Sequence, residues 1–179
     1  MKKLSETKAL QALEKLKSDY QTFIRENYEY KAESCETCPT KGACCLDAHF
    51  VNVHISKLEA AAIRESLAEL SVEKQAEIYR RVSKTIEKYD LKTTGDTFAQ
   101  TFACPLFEKG IGCFVHSSGK PAPCISHACY ENEADLPPDK LQMEIELSIE
   151  RLNRRVYGNA STWLPLPIQI DSVNQLPDD

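Results

Sequence analysis

Eight cysteines in a chain of 179 residues fall in only two places. The first block is Cys35-x2-Cys38-x5-Cys44-Cys45, and the second is Cys104-x8-Cys113-x10-Cys124-x4-Cys129, with 58 residues between them. Each block contains Pro and Gly and lacks apolar periodicity, so both read as loops rather than as faces of helices or strands. Cysteines acting as small buried hydrophobes would be scattered along apolar stripes instead. Structural disulfides need an oxidising compartment, and eight cysteines in this length is sparse beside a secreted disulfide scaffold. Metal ligation accounts best for the clustering, because a Cys-x2-Cys turn brings two thiolates onto one ion and a distant segment can close the shell. The candidate ligands are Cys35, Cys38, Cys44, Cys45, Cys104, Cys113, Cys124 and Cys129.

Thiolates are soft donors, suited to zinc, copper(I) or iron–sulfur clusters. Zinc sites commonly join two Cys-x2-Cys units, or one such unit with a His pair. Here there is one unit, and the second block is widely and unevenly spaced, which favours an iron–sulfur cluster with zinc as the alternative. The adjacent pair Cys44-Cys45 points the same way, since neighbouring side chains diverge and serve different atoms of a polynuclear centre more naturally. His49, His54, His116 and His127 complete the soft-ligand inventory. His127, between Cys124 and Cys129, is the best placed of them as a ligand or as support for one.

Around the blocks the pattern is helical. Leu10, Leu13, Leu16, Tyr20, Phe23, Ile24 and Tyr28 recur every three or four positions, with Lys and Glu between them, and predict an amphipathic helix from Ser5 to Tyr30. Phe50 to Ile55 suits a short strand. Ser56-Lys-Leu-Glu59 is a capping box that opens a helix to about Leu70, and Ser71 caps another that runs to about Tyr89 on Tyr79, Val82, Ile86 and Tyr89. Residues 91–103 read as loop. Gly110 and Gly112 supply the tight reversal of a short hairpin between Cys104 and Cys113, and residues 117–124 read as loop. Pro137-Pro138 can start a helix whose buried stripe is Leu141, Ile145, Ile149, Leu152 and Val156 and which stops at Gly158. Trp163 to Ile170 is too apolar to stay loose and is expected to pack back, with fraying beyond Val173.

These expectations describe a mainly α protein: one small helical domain over residues 1–179 with cysteine-rich loops and one short β-hairpin around a metal centre. Within it, residues 1–34 form an N-terminal helix, 35–129 the metal-binding core, and 130–179 a C-terminal helix and tail. No 18-residue apolar run or secretory leader is visible, which predicts a cytoplasmic protein without a membrane span. A net charge of −5 argues against nucleic acid as a partner, and the cluster Arg151, Arg154, Arg155 is explained by a solvated helix face.

The first block, together with Cys104-Pro-Leu-Phe, Cys113-Phe-Val-His and Lys120-Pro-Ala-Pro-Cys124, resembles the YkgJ-type cysteine-cluster family, a family described as chelating zinc or iron. The resemblance spans roughly Cys35 to Cys129. It implies that Cys35, Cys38, Cys44, Cys45, Cys104, Cys113 and Cys124 occupy the family's cysteine positions, with Cys129 outside the clear correspondence. Two departures are a longer spacer between Cys38 and Cys44, and Lys120-Pro121-Ala122-Pro123 in place of Arg-Pro.

Three functions follow as expectations. The first is a metal- or cluster-binding protein in electron transfer, metal handling or an accessory role with a protein partner. The second is an enzyme of protein modification or redox chemistry, since relatives of the family include lysine N-methylases. No nucleotide-binding Gly loop or radical-SAM cysteine triad accompanies it. The third is a structural zinc module that mediates contacts through an exposed apolar tail. A catalytic centre keeps an open position beside a pocket, and a structural one does not.

Overall fold

The computed structural model describes residues 2–34, 37–47, 51–158 and 162–174. It is mainly helical, with two short antiparallel strand pairs. The helices are α1 (Glu6–Asn27), α2 (Ala43–Leu46), α3 (Lys57–Ala68), α4 (Val72–Lys88), α5 (Ala122–Ser126), α6 (Asp139–Tyr157) and α7 (Leu166–Asn174). The strands are β1 (His54–Ile55), β2 (Phe107–Glu108), β3 (Gly112–Cys113) and β4 (Leu164–Pro165). None of the helices is long and apolar enough to cross a membrane among the described residues.

Helix α3 lies between two apolar clusters. Its Ala60, Ile63 and Leu67 join Ile78 and Val82 of α4, Phe102, Leu106, Val115 and the buried residues of α7. Its Leu58 and Ala61 join Leu10, Leu13, Tyr20 and Ile24 of α1, Ala122 and Ile125 of α5, and Ile145 and Ile149 of α6. A helix apolar on two sides is what an interior position requires, and the run Leu58-Glu-Ala-Ala-Ala-Ile63 supplies it.

The capping box forms as the sequence predicts, with Ser56 and Glu59 exchanging side-chain and backbone hydrogen bonds. Glu59 does more than cap. Its Oε2 accepts from Ser56 N–H at 3.2 Å, while its Oε1 accepts the Ala122 N–H at 3.0 Å, binding the first residue of α5 from 63 positions away. The same end of α3 is tied to α6, because the Leu58 N–H donates to Asn153 Oδ1 at 3.1 Å.

Several expectations change. Residues 117–124 are not loop throughout: Ala122–Ser126 form the short helix α5, which Pro121 precedes as N-cap. The tail does pack back, but as β4 and helix α7, whose Pro167 sits in the first turn where no N–H is needed. Pairing His54 with Pro165 and Ile55 with Leu164 adds a second strand pair beyond the expected hairpin. Leu166, Ile168 and Ile170 are buried, so this part of the tail belongs to the core. On α1, Phe23 is 43% exposed while Lys17 is buried. Lys17 follows Leu13 by four and precedes Tyr20 by three, so helical spacing puts it on the buried stripe despite its charge.

Replacing Glu59 with Ala leaves the Ser56 and Ala122 N–H groups buried without an acceptor. This should destabilise the protein by about 2–4 kcal/mol in denaturant unfolding. Glu59→Gln, which keeps one accepting oxygen, should cost less than Glu59→Ala.

Candidate metal centre

The two cysteine blocks meet although 58 residues separate them. The Cys104 N–H donates to the Cys45 carbonyl at 2.7 Å, and the Glu33 N–H donates to the Cys129 carbonyl at 2.8 Å. The first block is thus held at both ends by the second, near Cys129 where it begins and at Cys104 where it finishes. Cys35 and His49 lie outside the described residues.

Gly42 explains how the first block can come so close. It has a φ of +83° and is the N-cap of α2, which carries Cys44 and Cys45. A Cβ at this position would lie 2.2 Å from Cζ of Phe107 on β2, so only glycine allows both the left-handed backbone and the ring against it.

In the second block, β2 and β3 pair with Phe107 opposite Cys113 and Glu108 opposite Gly112. The hairpin turns through Gly110 at a φ of +88°. Antiparallel pairing returns the chain from Cys104 to Cys113, and the eight-residue spacing that looks irregular in sequence is the length of this reversal. The Phe107 N–H donates to the Cys104 carbonyl at 3.4 Å, and the nearby backbone N–H groups of Leu106 and Phe107 lower the Cys104 thiol as that of Val115 lowers Cys113. Cys124 sits on α5, which Glu59 holds through Ala122.

Burial pushes the Cys104 thiol up to about 12, helped by the charge of Cys113 and opposed by those N–H groups and by Arg81. Cys124 is likewise pushed up to about 12 by burial and by Cys104, with Lys120 opposing. Cys45 is raised by burial and then by Cys104, Cys44 and Cys124. Cys113 is raised by burial, against Val115 and Lys120. Cys104 therefore feels Cys113, Cys124 feels both of them, and Cys45 feels Cys104 and Cys124, so that without metal these four thiols are protonated at neutral pH. Among the described residues, no three Cys, His, Asp or Glu side chains are gathered tightly enough to hold a metal ion as they stand. Cys44 is exposed, Cys38 is 3.7 Å from Thr40 Oγ1, and Cys129 is exposed at its bridge to Glu33.

The histidines divide. His54 is buried, with Nδ1 2.8 Å from the Asn52 carbonyl and its ring stacked at 4.2 Å on the exposed Phe98. His116 and His127 are both lowered by burial first and by Lys120 second, which keeps them neutral, the form in which imidazole ligates. His127 closes α5, three residues after Cys124.

Two cations that the cysteine spacing does not reveal stand close by. Arg81 acts on Cys104. Lys17 is buried, its ammonium has no hydrogen-bond partner among the described residues, and burial lowers it while Glu59 and Cys124 raise it. The spacing of Lys17 along the α1 stripe is the signal that could have found it. Comparison with protein-family models, curated proteins and solved structures returns no match.

In the metal-free protein, iodoacetamide at pH 8 should alkylate Cys104 and Cys124 at least ~100-fold more slowly than exposed Cys44, because the thiolate is the reacting form. The two slow rates should rise about tenfold per pH unit above that. Initial rates mapped by mass spectrometry check it, and equal rates at all three positions would contradict the burial and charge described.

Proposed function

We propose that this is a metal-binding protein that holds an iron–sulfur cluster or zinc through cysteine thiolates, for electron transfer, metal handling or an accessory role in a larger assembly. The observation that carries this is the junction of the two blocks at the hairpin: the Cys104 N–H donates to the Cys45 carbonyl at 2.7 Å, and the backbone N–H groups of Leu106, Phe107 and Val115 lower the Cys104 and Cys113 thiols. Such donors favour a thiolate and contribute little to a neutral thiol. Burial opposes the thiolate, and a bound metal is what resolves the conflict by taking the proton's place on sulfur.

Cys45, Cys104, Cys113 and Cys124 form the inner set, and four thiolates are what one zinc ion or one cluster takes. The remaining candidate ligands, Cys35, Cys38, Cys44 and Cys129, would serve a larger or second centre. Lys17 and Arg81 offset the negative charge that thiolates leave on the centre. The resemblance to the YkgJ-type family points to the same chemistry.

Protein expressed with iron and purified without oxygen should be brown, absorb broadly in the visible and contain acid-labile sulfide. Colourless protein with stoichiometric zinc would select the zinc form. Cys→Ser at Cys45, Cys104, Cys113 or Cys124 should reduce bound metal at least tenfold, since a serine hydroxyl is a harder, protonated donor. Metal absent from the wild type so prepared, or unchanged in all four variants, would overturn the proposal.

Removing the metal with a chelator should loosen residues 37–47 and 104–129 while helical circular dichroism largely persists. The two apolar clusters are built mostly from helices outside these loops. Complete loss of the helical signal would show instead that the metal organises the core.

A further inference from the structure

Helix α4 presents Arg81, Lys84 and Lys88 at spacings of three and four, which places them along one side of the helix. They line a cavity of about 240 Å³ whose opposite wall includes Leu46, Cys104 and Phe107. No Asp or Glu lines it, in a chain where acidic residues outnumber basic ones 27 to 22. Among the described residues, Lys84 makes no ion pair within 4.0 Å.

Arg81 is oriented rather than loose. Its Nη1 donates to Glu108 Oε2 at 3.3 Å, and its guanidinium lies 5.3 Å over the Phe114 ring. Nε and Nη2 are buried and have no partner among the described residues. These two donors share one edge of the guanidinium and match the two oxygens of a carboxylate or phosphate group. Two exposed lysines, an arginine whose buried donor pair lacks an acceptor, and an apolar wall together describe a receptor for an anionic head on a short apolar body.

We propose that this cavity binds a small organic oxyanion, a carboxylate or a phosphate monoester, whose head meets Arg81, Lys84 and Lys88 and whose body rests against Leu46 and Phe107. Its volume is below that of pockets for drug-sized ligands, which restricts the occupant to a compact molecule. The proposal stands on the side chains of α4 and its facing loop, and the cavity shares Arg81 and Cys104 with the proposed metal centre.

The full chain, kept reduced, is titrated separately with phenyl phosphate, benzoate and uncharged benzyl alcohol while amide nitrogen–proton NMR spectra are recorded. At least one anion should give saturable shifts over residues 81–89 and 103–107, and benzyl alcohol should give none. Phosphate without benzoate binding identifies a phosphate monoester as the ligand class, and the reverse identifies a carboxylate. Lys84→Glu with Lys88→Glu, at two exposed positions, should weaken that binding at least tenfold. Lys140→Glu, exposed on α6, should leave it unchanged. Failure of both anions to shift this region, equal affinity in the double variant, or equal binding of benzyl alcohol would each overturn the proposal.

Discussion

The arrangement of this protein depends on the carboxylate of Glu59. It is fully buried, and a buried carboxylate is tolerated only where donors surround it. The donors are the Ser56 N–H at the start of α3 and the Ala122 N–H at the start of α5. One group therefore ends a helix correctly and sets the distance between two elements far apart in sequence. Because α3 belongs to both apolar clusters, what is attached to its first turn is positioned against the whole core. Cys124 inherits its place from this attachment, and Asn153 adds α6 to the same turn.

The cysteine region is built on the opposite principle. Few of its residues belong to the apolar clusters, and its loops are held by individual backbone contacts, Cys104 to Cys45 and Glu33 to Cys129. Its thiols are subject to opposed influences. Burial and the nearness of other sulfurs favour protons, while backbone N–H groups and the cations Arg81 and Lys120 favour charge. Such a balance changes sharply when a cation enters, since every sulfur that loses its proton becomes a partner rather than a competitor. The cavity beside Cys104 lies at the margin of this region, where α4 contributes positive charge from the helical part of the molecule.

Features governed by near neighbours were legible in the sequence: the helical stripes, the Ser56 and Ser71 caps, the hairpin glycines and the gathering of cysteines into two blocks. The α5 helix was hidden because Pro121 and Pro123 look like loop, although proline is well suited to a helix start. The buried Lys17 was hidden by residue type, since charge outweighed spacing in assigning it to the solvent side. The hairpin cysteines looked irregular because pairing across strands, unlike a Cys-x2-Cys turn, leaves no fixed spacing in the chain.

The sequence by itself determined the helical class, the bounds of α1, α3, α4 and α6 to within a few residues and which side chains are of a type that can ligate a metal, because each depends on periodicity, capping or side-chain type. Tertiary structure alone decided which cysteines approach one another, that Glu59 holds α5 as well as capping α3, and that Arg81, Lys84 and Lys88 line a cavity beside Cys104. Those relations depend on where the chain returns. That is set by the burial of apolar faces on both sides of α3 and by a few long-range hydrogen bonds, and neither leaves a local signature.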